Sequence, residues 1–168
     1  MASTLLTVST ARASDSAVRS TAGHSSLTMT DTLTPKERSE RMSRIRSKDT
    51  KPEMIVRRLV HGMGYRYRLH RRNLPSIPDL VFPSRKKVIF VHGCFWHRHP
   101  DPGCKLARLP KSRLDFWKPK LEANRQRDLE NIHKLSRQGW EVLVVWECEI
   151  DDKEQLENII KSFLKVKA

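Results

Sequence analysis

The sequence has little of what holds secreted or membrane proteins together. Only three of its 168 residues are cysteines: Cys94, Cys104 and Cys148. An odd number of cysteines fits a disulfide framework poorly and is ordinary in a reducing cytosol, where thiolates can serve as metal ligands. No apolar run approaches the roughly 20 residues that a membrane-spanning helix requires. These absences exclude a transmembrane protein, and we expect a cytoplasmic protein with no membrane partner.

Acidic residues are also scarce. The chain has 19 Asp and Glu against 33 Lys and Arg, which gives a formal net charge of +14. An excess of this size in a chain of one domain's length favours a polyanionic partner, DNA or RNA. Composition leaves a second interpretation open, a generally basic surface such as those of some ribosomal or membrane-skirting proteins.

The first residues differ from the rest of the chain. Residues 1–28 are rich in Ser, Thr and Ala and show no apolar periodicity. We therefore expect a disordered extension over residues 1–33 and a folded domain over residues 34–168. The composition also resembles an organelle transit peptide. A start at Met29, with an extended reading frame ahead of it, is the interpretation that we favour.

The folded part alternates between helical and strand-like patterns. A short basic helix begins at Thr34-Pro35, where Glu37 completes a capping box, and it carries Met42 and Ile45 on one face. The pattern as a whole predicts further helices over 51–61, 112–138 and 151–166, and strands over 65–69, 79–82, 87–91 and 141–146. The last strand reads as fully buried because it is continuously apolar. This order predicts an α/β fold, a mixed central sheet flanked by helices.

Histidines and cysteines are concentrated in residues 92–104. Within them Cys94, His99 and Cys104 have a C-x4-H-x4-C spacing, which lets one loop wrap an ion. Zinc takes four such ligands in a tetrahedron, and Cys148, just past the last strand, is the predicted fourth. Because four protein ligands leave no open position, we expect this zinc to be structural.

Two alternatives to this ligand set stay open. Cys148 could be a core thiol, which is the common fate of a lone buried cysteine. His92 or His97 could replace His99, since spacing does not separate the three histidines.

The strands suggest a second metal site. Asp79 opens a hairpin whose turn lies near residues 84–85, so paired positions sum to about 169 and Asp79 faces Phe90 or Val91. A carboxylate beside backbone carbonyls suits magnesium, which stabilises the negative charge that develops on a phosphodiester. Either His92 or His97 could take a proton from the attacking water, because imidazole titrates near neutrality.

At these residues the sequence resembles a known family. The segment Val88-Ile-Phe-Val-His-Gly-Cys-Phe-Trp-His97 is similar to the signature of the very-short-patch repair (Vsr) DNA mismatch endonucleases. Further matches span about residues 35–150: Arg41–Ile45, Asp49-Thr50, Glu53, Pro78-Asp79, Phe116-Trp117, Asn124, Arg127-Asp128 and the segment Gly139–Cys148. The resemblance implies a restriction-endonuclease-like fold with a degenerate PD-(D/E)xK core, in which histidines occupy the place of the usual second acid and lysine.

The resemblance also implies roles for individual residues. Asp79 corresponds to the magnesium-binding carboxylate, and the backbone carbonyl of Val91 to a second Mg²⁺ ligand. His97 corresponds to the catalytic histidine. Its implied active-site partners are His92, Glu53 and Asp128, the last as the residue that orients it. Cys94, His99, Cys104 and Cys148 match the zinc ligands. The stretch Pro100–Gly103 lengthens the loop before Cys104 relative to better-known members, which leaves the geometry of the loop open.

Aromatic residues complete the resemblance. Large apolar side chains inserted between base pairs unstack them, and a mismatched step is easier to open. The family assigns this role to Phe95, Trp96 and Trp117, with Met42 and Ile45 entering from the opposite groove. For Trp117, on a helix, ordinary core packing is an equal alternative.

The implied activity is a nick on one strand, 5′ of the T in a T:G mismatch that arises from deamination of 5-methylcytosine, which starts very-short-patch repair. The implied partners are double-stranded DNA with that mismatch and mismatch-repair proteins. We expect a monomer in the bacterial cytoplasm, associated with the nucleoid. Two rival interpretations are a non-catalytic zinc-containing DNA-binding module and a restriction-type nuclease without mismatch preference.

Overall fold

The computed structural model describes residues 34–44 and 48–165 of the chain. In chain order the elements are α1 (Pro35–Ser43), α2 (Lys51–Gly62), β1 (Arg68–Leu69), β2 (Leu80–Phe82), β3 (Lys87–His92), α3 (Leu114–Arg137), β4 (Glu141–Trp146) and α4 (Lys153–Leu164). The predicted α/β class and element order are confirmed. The predicted disordered extension over residues 1–33 lies outside the described residues, and so does Ile45.

The four strands form one sheet in the order β1-β2-β3-β4. The first three are antiparallel and β3 and β4 are parallel, so the sheet is mixed. Leu80 pairs with Ile89 and Val81 with Val88, which is the register predicted from the turn. The first strand is shorter than the predicted 65–69, because only Arg68 and Leu69 pair with β2.

The prediction that β4 is fully buried is wrong. Within the described sheet β4 is an edge strand, and its single neighbour is β3. Only Val145 is buried, while Glu141 is exposed and residues 142–144 are half-buried. A continuous apolar run indicates that both faces of a strand are covered in part, but it carries no information about whether a second strand pairs along its edge.

Alternating residues of β2 and β3 face two separate cores, as the pleat of a strand requires. Leu80, Phe82 and Ile89 pack with residues of α2 and α4 on one face. Val81, Val88 and Phe90 pack on the other face with Leu135 of α3 and with Trp140. The sheet is therefore a middle layer, and the carboxyl end of β3 lies where both helical layers can contribute side chains. No helix in the described part of the chain is long and apolar enough to span a membrane.

Candidate active site

Asp79 immediately precedes β2, and its carboxylate contacts the end of β3. The Val91 backbone N–H donates to Asp79 Oδ2 over 2.8 Å. Of the two facing residues predicted from the hairpin register, the contact is with Val91. The last backbone pair between β2 and β3 is Leu80 with Ile89. The Val91 N–H therefore donates to the Asp79 side chain and not to a backbone carbonyl of β2.

The surroundings of Asp79 perturb its ionisation. Burial raises the pKa of the Asp79 carboxyl from 3.8 to about 6. The Val91 N–H opposes this rise, Glu53 adds to it, and the nearby His70 and Arg57 side chains lower the pKa. A half-buried carboxylate with a raised pKa favours a positive charge beside it, either a proton or a cation.

Glu53, a predicted active-site partner, lies on α2 and is 3% exposed. It forms a capping box with Thr50, whose hydroxyl accepts from the Glu53 N–H while the Glu53 carboxylate accepts from the Thr50 N–H. Its Oε1 also accepts from Arg57 one turn later. These bonds hold the Glu53 carboxylate in one orientation on the Asp79 side of the sheet.

Two residues of this region were missed in the sequence. Arg57 is buried, donates to Asp49 Oδ1 over 2.6 Å as well as to Glu53, and lies 2.8 Å from Nε2 of His70. The i, i+4 spacing of Glu53 and Arg57 on a helix was a readable signal for the ion pair. His70 follows β1, and only the pairing of β1 with β2 brings it to α2.

His92, His97 and Asp128 form a second group. The rings of His92 and His97 stack with their centroids 4.0 Å apart and their planes at 11°. His97 Nδ1 lies 2.6 Å from Asp128 Oδ2 on α3. Because a carboxylate only accepts, this contact places the proton on Nδ1 and leaves Nε2 as the acceptor nitrogen. The His97 side chain is 32% exposed, so water can reach it.

His92 is the less accessible of the two histidines, at 7% exposed. The pKa of His92 is lowered from 6.5 to about 4, mainly by burial and also by the neighbouring His97, while Asp128 acts in the opposite direction. His92 is therefore uncharged at neutral pH. Its ring also contacts the edge of Trp146, with the centroids 5.3 Å apart.

The four predicted zinc ligands come together. One donor atom from each of Cys94, His99, Cys104 and Cys148 lies within 4.8 Å of the others, and Cys148 Sγ is 3.9 Å from His99 Nδ1. Donors around a zinc ion with Zn–S bonds of about 2.3 Å lie about 3.8 Å apart, so small side-chain movements suffice to bind one. This cysteine cluster could hold a metal ion. His99 belongs to it, whereas His92 and His97 group with Asp128.

Three aromatic side chains pack together outside both cores. Phe95 lies 5.0 Å from Trp96 and 5.4 Å from Trp117, and Trp96 lies 6.1 Å from Trp117, all between ring centroids. Each of the three is half-buried, and we call them the aromatic cluster. Asn124 donates to the Trp96 carbonyl over 3.2 Å and ties this loop to α3. Met42 lies near the end of α1 and is half-buried.

Comparison with known proteins agrees with this geometry. The family model described as DNA mismatch endonuclease Vsr matches residues 30–102. The Type II nicking enzyme V.XorIIP of Xanthomonas oryzae pv. oryzae is 54% identical over 81% of this chain and 98% of its own length. The Type II nicking enzyme V.NmeAIP of Neisseria meningitidis is 41% identical over 79% of this chain and 96% of its own length. The DNA mismatch endonuclease Vsr of Escherichia coli is 39% identical over 76% of this chain and 80% of its own length.

The resemblance read from the sequence is thus confirmed over most of the chain, since the relatives extend well beyond the residues that the family model covers. With its strand-end carboxylate, its histidine pair beside Asp128 and its basic composition, the chain belongs to the Vsr family of DNA mismatch endonucleases.

Proposed function

We propose that this endonuclease uses Mg²⁺ to nick one DNA strand 5′ of the T in a T:G mismatch left by deamination of 5-methylcytosine, and so starts very-short-patch repair. The observation that carries the proposal is the contact between His97 Nδ1 and Asp128 Oδ2, which orients a proton acceptor at the end of the strand that also contacts Asp79. The proposal includes a restriction-endonuclease-like fold with a degenerate PD-(D/E)xK core, supported by Pro78-Asp79 directly before β2.

Asp79 and the Val91 carbonyl fit a magnesium ion. In a ladder the N–H and C=O of one residue point to the same neighbour, so the Val91 carbonyl faces the Asp79 side as its N–H does. Because β2 begins at Leu80, which pairs with Ile89, no β2 residue pairs with Val91 in the described sheet. The two oxygens are hard ligands of the type that magnesium prefers. When bound, the ion supplies positive charge for the developing negative charge on the phosphodiester.

His97 is the group that we propose takes the proton from the attacking water. Its Nε2 is free to accept, while Asp128 holds Nδ1 and stabilises the imidazolium that forms. His92 stacks on this ring and, being uncharged at neutral pH, adds no repulsion to the imidazolium. Glu53, held by Thr50 and Arg57, keeps a second carboxylate near Asp79.

The cysteine cluster is proposed to bind structural zinc. Its three thiols and one imidazole would supply the four ligands that a structural zinc ion takes, which would leave no position for water. The loop that it closes also carries Phe95, Trp96 and His97. Zinc would therefore fix the relative position of the aromatic cluster and the proton acceptor.

Mismatch preference is proposed to arise from the aromatic cluster, together with Met42 and Ile45 acting from the opposite groove. Opening a base step costs less where pairing is already weak, so a wedge discriminates in favour of a mismatch. Replacing Phe95 and Trp96 with Ala should reduce affinity for a T:G duplex more than for a matched one. Equal losses on both duplexes would assign the selectivity elsewhere.

Nicking of end-labelled duplexes tests the whole proposal. The protein should cut only the T strand of a T:G duplex, only with Mg²⁺, and leave the matched duplex intact. Asp79→Asn and His97→Gln should abolish cutting while binding survives, and His133→Gln, on an exposed part of α3, is the matched control. Full activity in His97→Gln would place the proton acceptor elsewhere.

One alternative has a specific observation in its favour. Two of the three relatives described above are named Type II nicking enzymes, a name that mentions no mismatch. Equal cutting of the matched duplex in the same assay would support a nicking enzyme without mismatch preference. We propose in addition that the protein acts as a monomer in the bacterial cytoplasm and works with mismatch-repair proteins.

A further inference from the structure

Beside the aromatic cluster, α3 begins with an exposed aromatic residue that the proposed function does not use. Phe116 is 40% exposed, although its ring lies only 5.2 Å from Trp117, which is half-buried. Trp117 in turn contacts Phe95. Phe116 therefore extends the aromatic cluster outward, and its side chain belongs to neither core.

Two cations cover this ring. The guanidinium carbon of Arg113 and the ammonium nitrogen of Lys120 each lie 5.1 Å from the Phe116 ring centroid, and Lys120 Nζ also lies 5.7 Å from the Trp117 ring. Both side chains are exposed, and within the described part of the chain neither forms an ion pair with a carboxylate. Cations over exposed rings are weakly held, so both are available to a stronger partner.

The surrounding surface is strongly basic. Residues 105–125 contain seven Lys and Arg against two acidic residues, the former being Lys105, Arg108, Lys111, Arg113, Lys118, Lys120 and Arg125, and the latter Asp115 and Glu122. The exposed Phe116 ring, with Arg113 and Lys120 beside it and no ion pair to either in the described part of the chain, complements the two parts of a nucleotide. The ring matches the face of a base, and the cations match the phosphates on either side.

We propose that Phe116, Arg113 and Lys120 form a further DNA contact, in which the Phe116 ring stacks on a base next to the step that the aromatic cluster opens, and the two cations bind the flanking phosphates. On binding, each group exchanges a weak intramolecular contact for a stronger one. The inference rests on the proposed entry of the aromatic cluster into DNA. It adds a residue to that interface which takes no part in the nicking chemistry.

The stacking contact and the phosphate contacts affect DNA binding in different ways, the first through affinity alone and the second through its dependence on salt. Loss of one stacked base should lower affinity by about tenfold and leave the dependence on salt unchanged, because no charge is removed. Loss of two phosphate contacts should reduce the slope of log affinity against log salt by about 1.8, since each contact contributes about 0.9.

The test measures binding of the full chain to T:G and matched duplexes over a range of salt concentrations. Phe116→Ala and Phe116→Leu should lose about tenfold in affinity at an unchanged salt slope, and Phe116→Tyr should retain it. Ile159→Ala, which removes an equally exposed apolar side chain from α4, is the control and should bind as the unchanged protein does. Equal affinity for Phe116→Ala would overturn the stacking contact, and so would full affinity in Phe116→Leu.

The phosphate contacts are tested with two double variants. One combines Arg113→Gln with Lys120→Gln, and its control combines Lys134→Gln with Arg137→Gln at the far end of α3. Both pairs remove two charges, and only the first should reduce the salt slope. An equal reduction in both would mean general attraction and overturn the phosphate contacts. Nicking by the unchanged protein separates this result from the proposed function: if it cuts the T:G duplex while the Phe116 variants bind normally, only the further inference fails.

Discussion

Replacing Asp79 with Asn should make the protein more stable at neutral pH while abolishing nicking. Asn keeps an oxygen that can accept the Val91 N–H, so the bond at the end of β3 survives. What it removes is a negative charge that is half-buried and close to Glu53. The raised pKa of Asp79 measures how strongly the folded state disfavours that charge.

The magnitude follows from the two ionisation constants. The Asp79 pKa is about 6 in the folded protein against 3.8 ordinarily, a difference of roughly two units, and each unit is worth about 1.4 kcal/mol. Because the folded state binds this proton more tightly, the stabilisation is complete below about pH 4 and is lost as pH rises through 6. At pH 8 the ionised carboxylate therefore lowers the free energy of unfolding by up to about 3 kcal/mol.

Urea unfolding between pH 4 and pH 8, without added Mg²⁺, measures this effect. At pH 8 Asp79→Asn should be about 2–3 kcal/mol more stable than the unchanged protein, and the difference should vanish near pH 4. Other titrating groups, His92 among them, are present in both proteins, so their contributions cancel in the stability difference. Asp151→Asn, at an exposed position, is the control and should change little at any pH. Added Mg²⁺ should stabilise the unchanged protein and leave Asp79→Asn unaffected.

Two results would refute this reasoning. A stability difference that stays constant from pH 8 to pH 4 would show that the effect does not come from ionisation of Asp79. Equal stability at pH 8 would show that the folded protein compensates the charge without a cation. Either result would remove the electrostatic reason for a magnesium ion at this strand end.

Three further predictions concern the other groups of the site. Because the pKa of His92 is lowered in the folded protein, His92 is protonated in the unfolded chain first as pH falls below 6.5, and this favours unfolding. Between pH 6.5 and pH 4, His92→Gln should therefore lose less stability than the unchanged protein, as measured by urea unfolding. Cys148→Ser should lose bound zinc and melt at lower temperature, checked by metal analysis and calorimetry, and unchanged zinc content would remove Cys148 from the site. Arg57→Met should cost about 3–5 kcal/mol because it leaves Glu53 buried without its partner, and adding Glu53→Gln should recover much of the loss; no recovery in the double variant would mean that Arg57 acts through packing.

Much of the fold was predictable because its signals are local. The turn near residues 84–85 predicted the register of β2 and β3, and that register brought Asp79 to Val91. Thr34 and Glu37 predicted the start of α1, where the Thr34 N–H donates to Glu37 Oε2 over 2.8 Å. Hairpin register and helix capping depend on residues a few positions apart, so the sequence contains the information directly.

The edge position of β4 and the contact of Glu53 with His70 were not predictable in this way. Whether β4 has one neighbour or two depends on where other strands lie, and its own apolar residues do not report it. Glu53 meets His70 because β1 pairs with β2, which is a long-range contact. The capping box of Thr50 and Glu53, by contrast, is a local T-x-x-E pattern that the sequence does contain.

The sequence by itself determined that a metal-binding loop was present. Cysteines and histidines are closely spaced in residues 92–104, Cys148 supplies one more thiol, and few other residue types ligate zinc. Which histidine joins the cysteines was decided only by the fold. The loop turns so that His99 faces Cys148, while His97 points to Asp128 on α3, 31 residues away in the chain. Side-chain direction in an irregular loop depends on long-range packing, and chemically identical imidazoles a few residues apart become distinct only when the tertiary structure gives each a different neighbour.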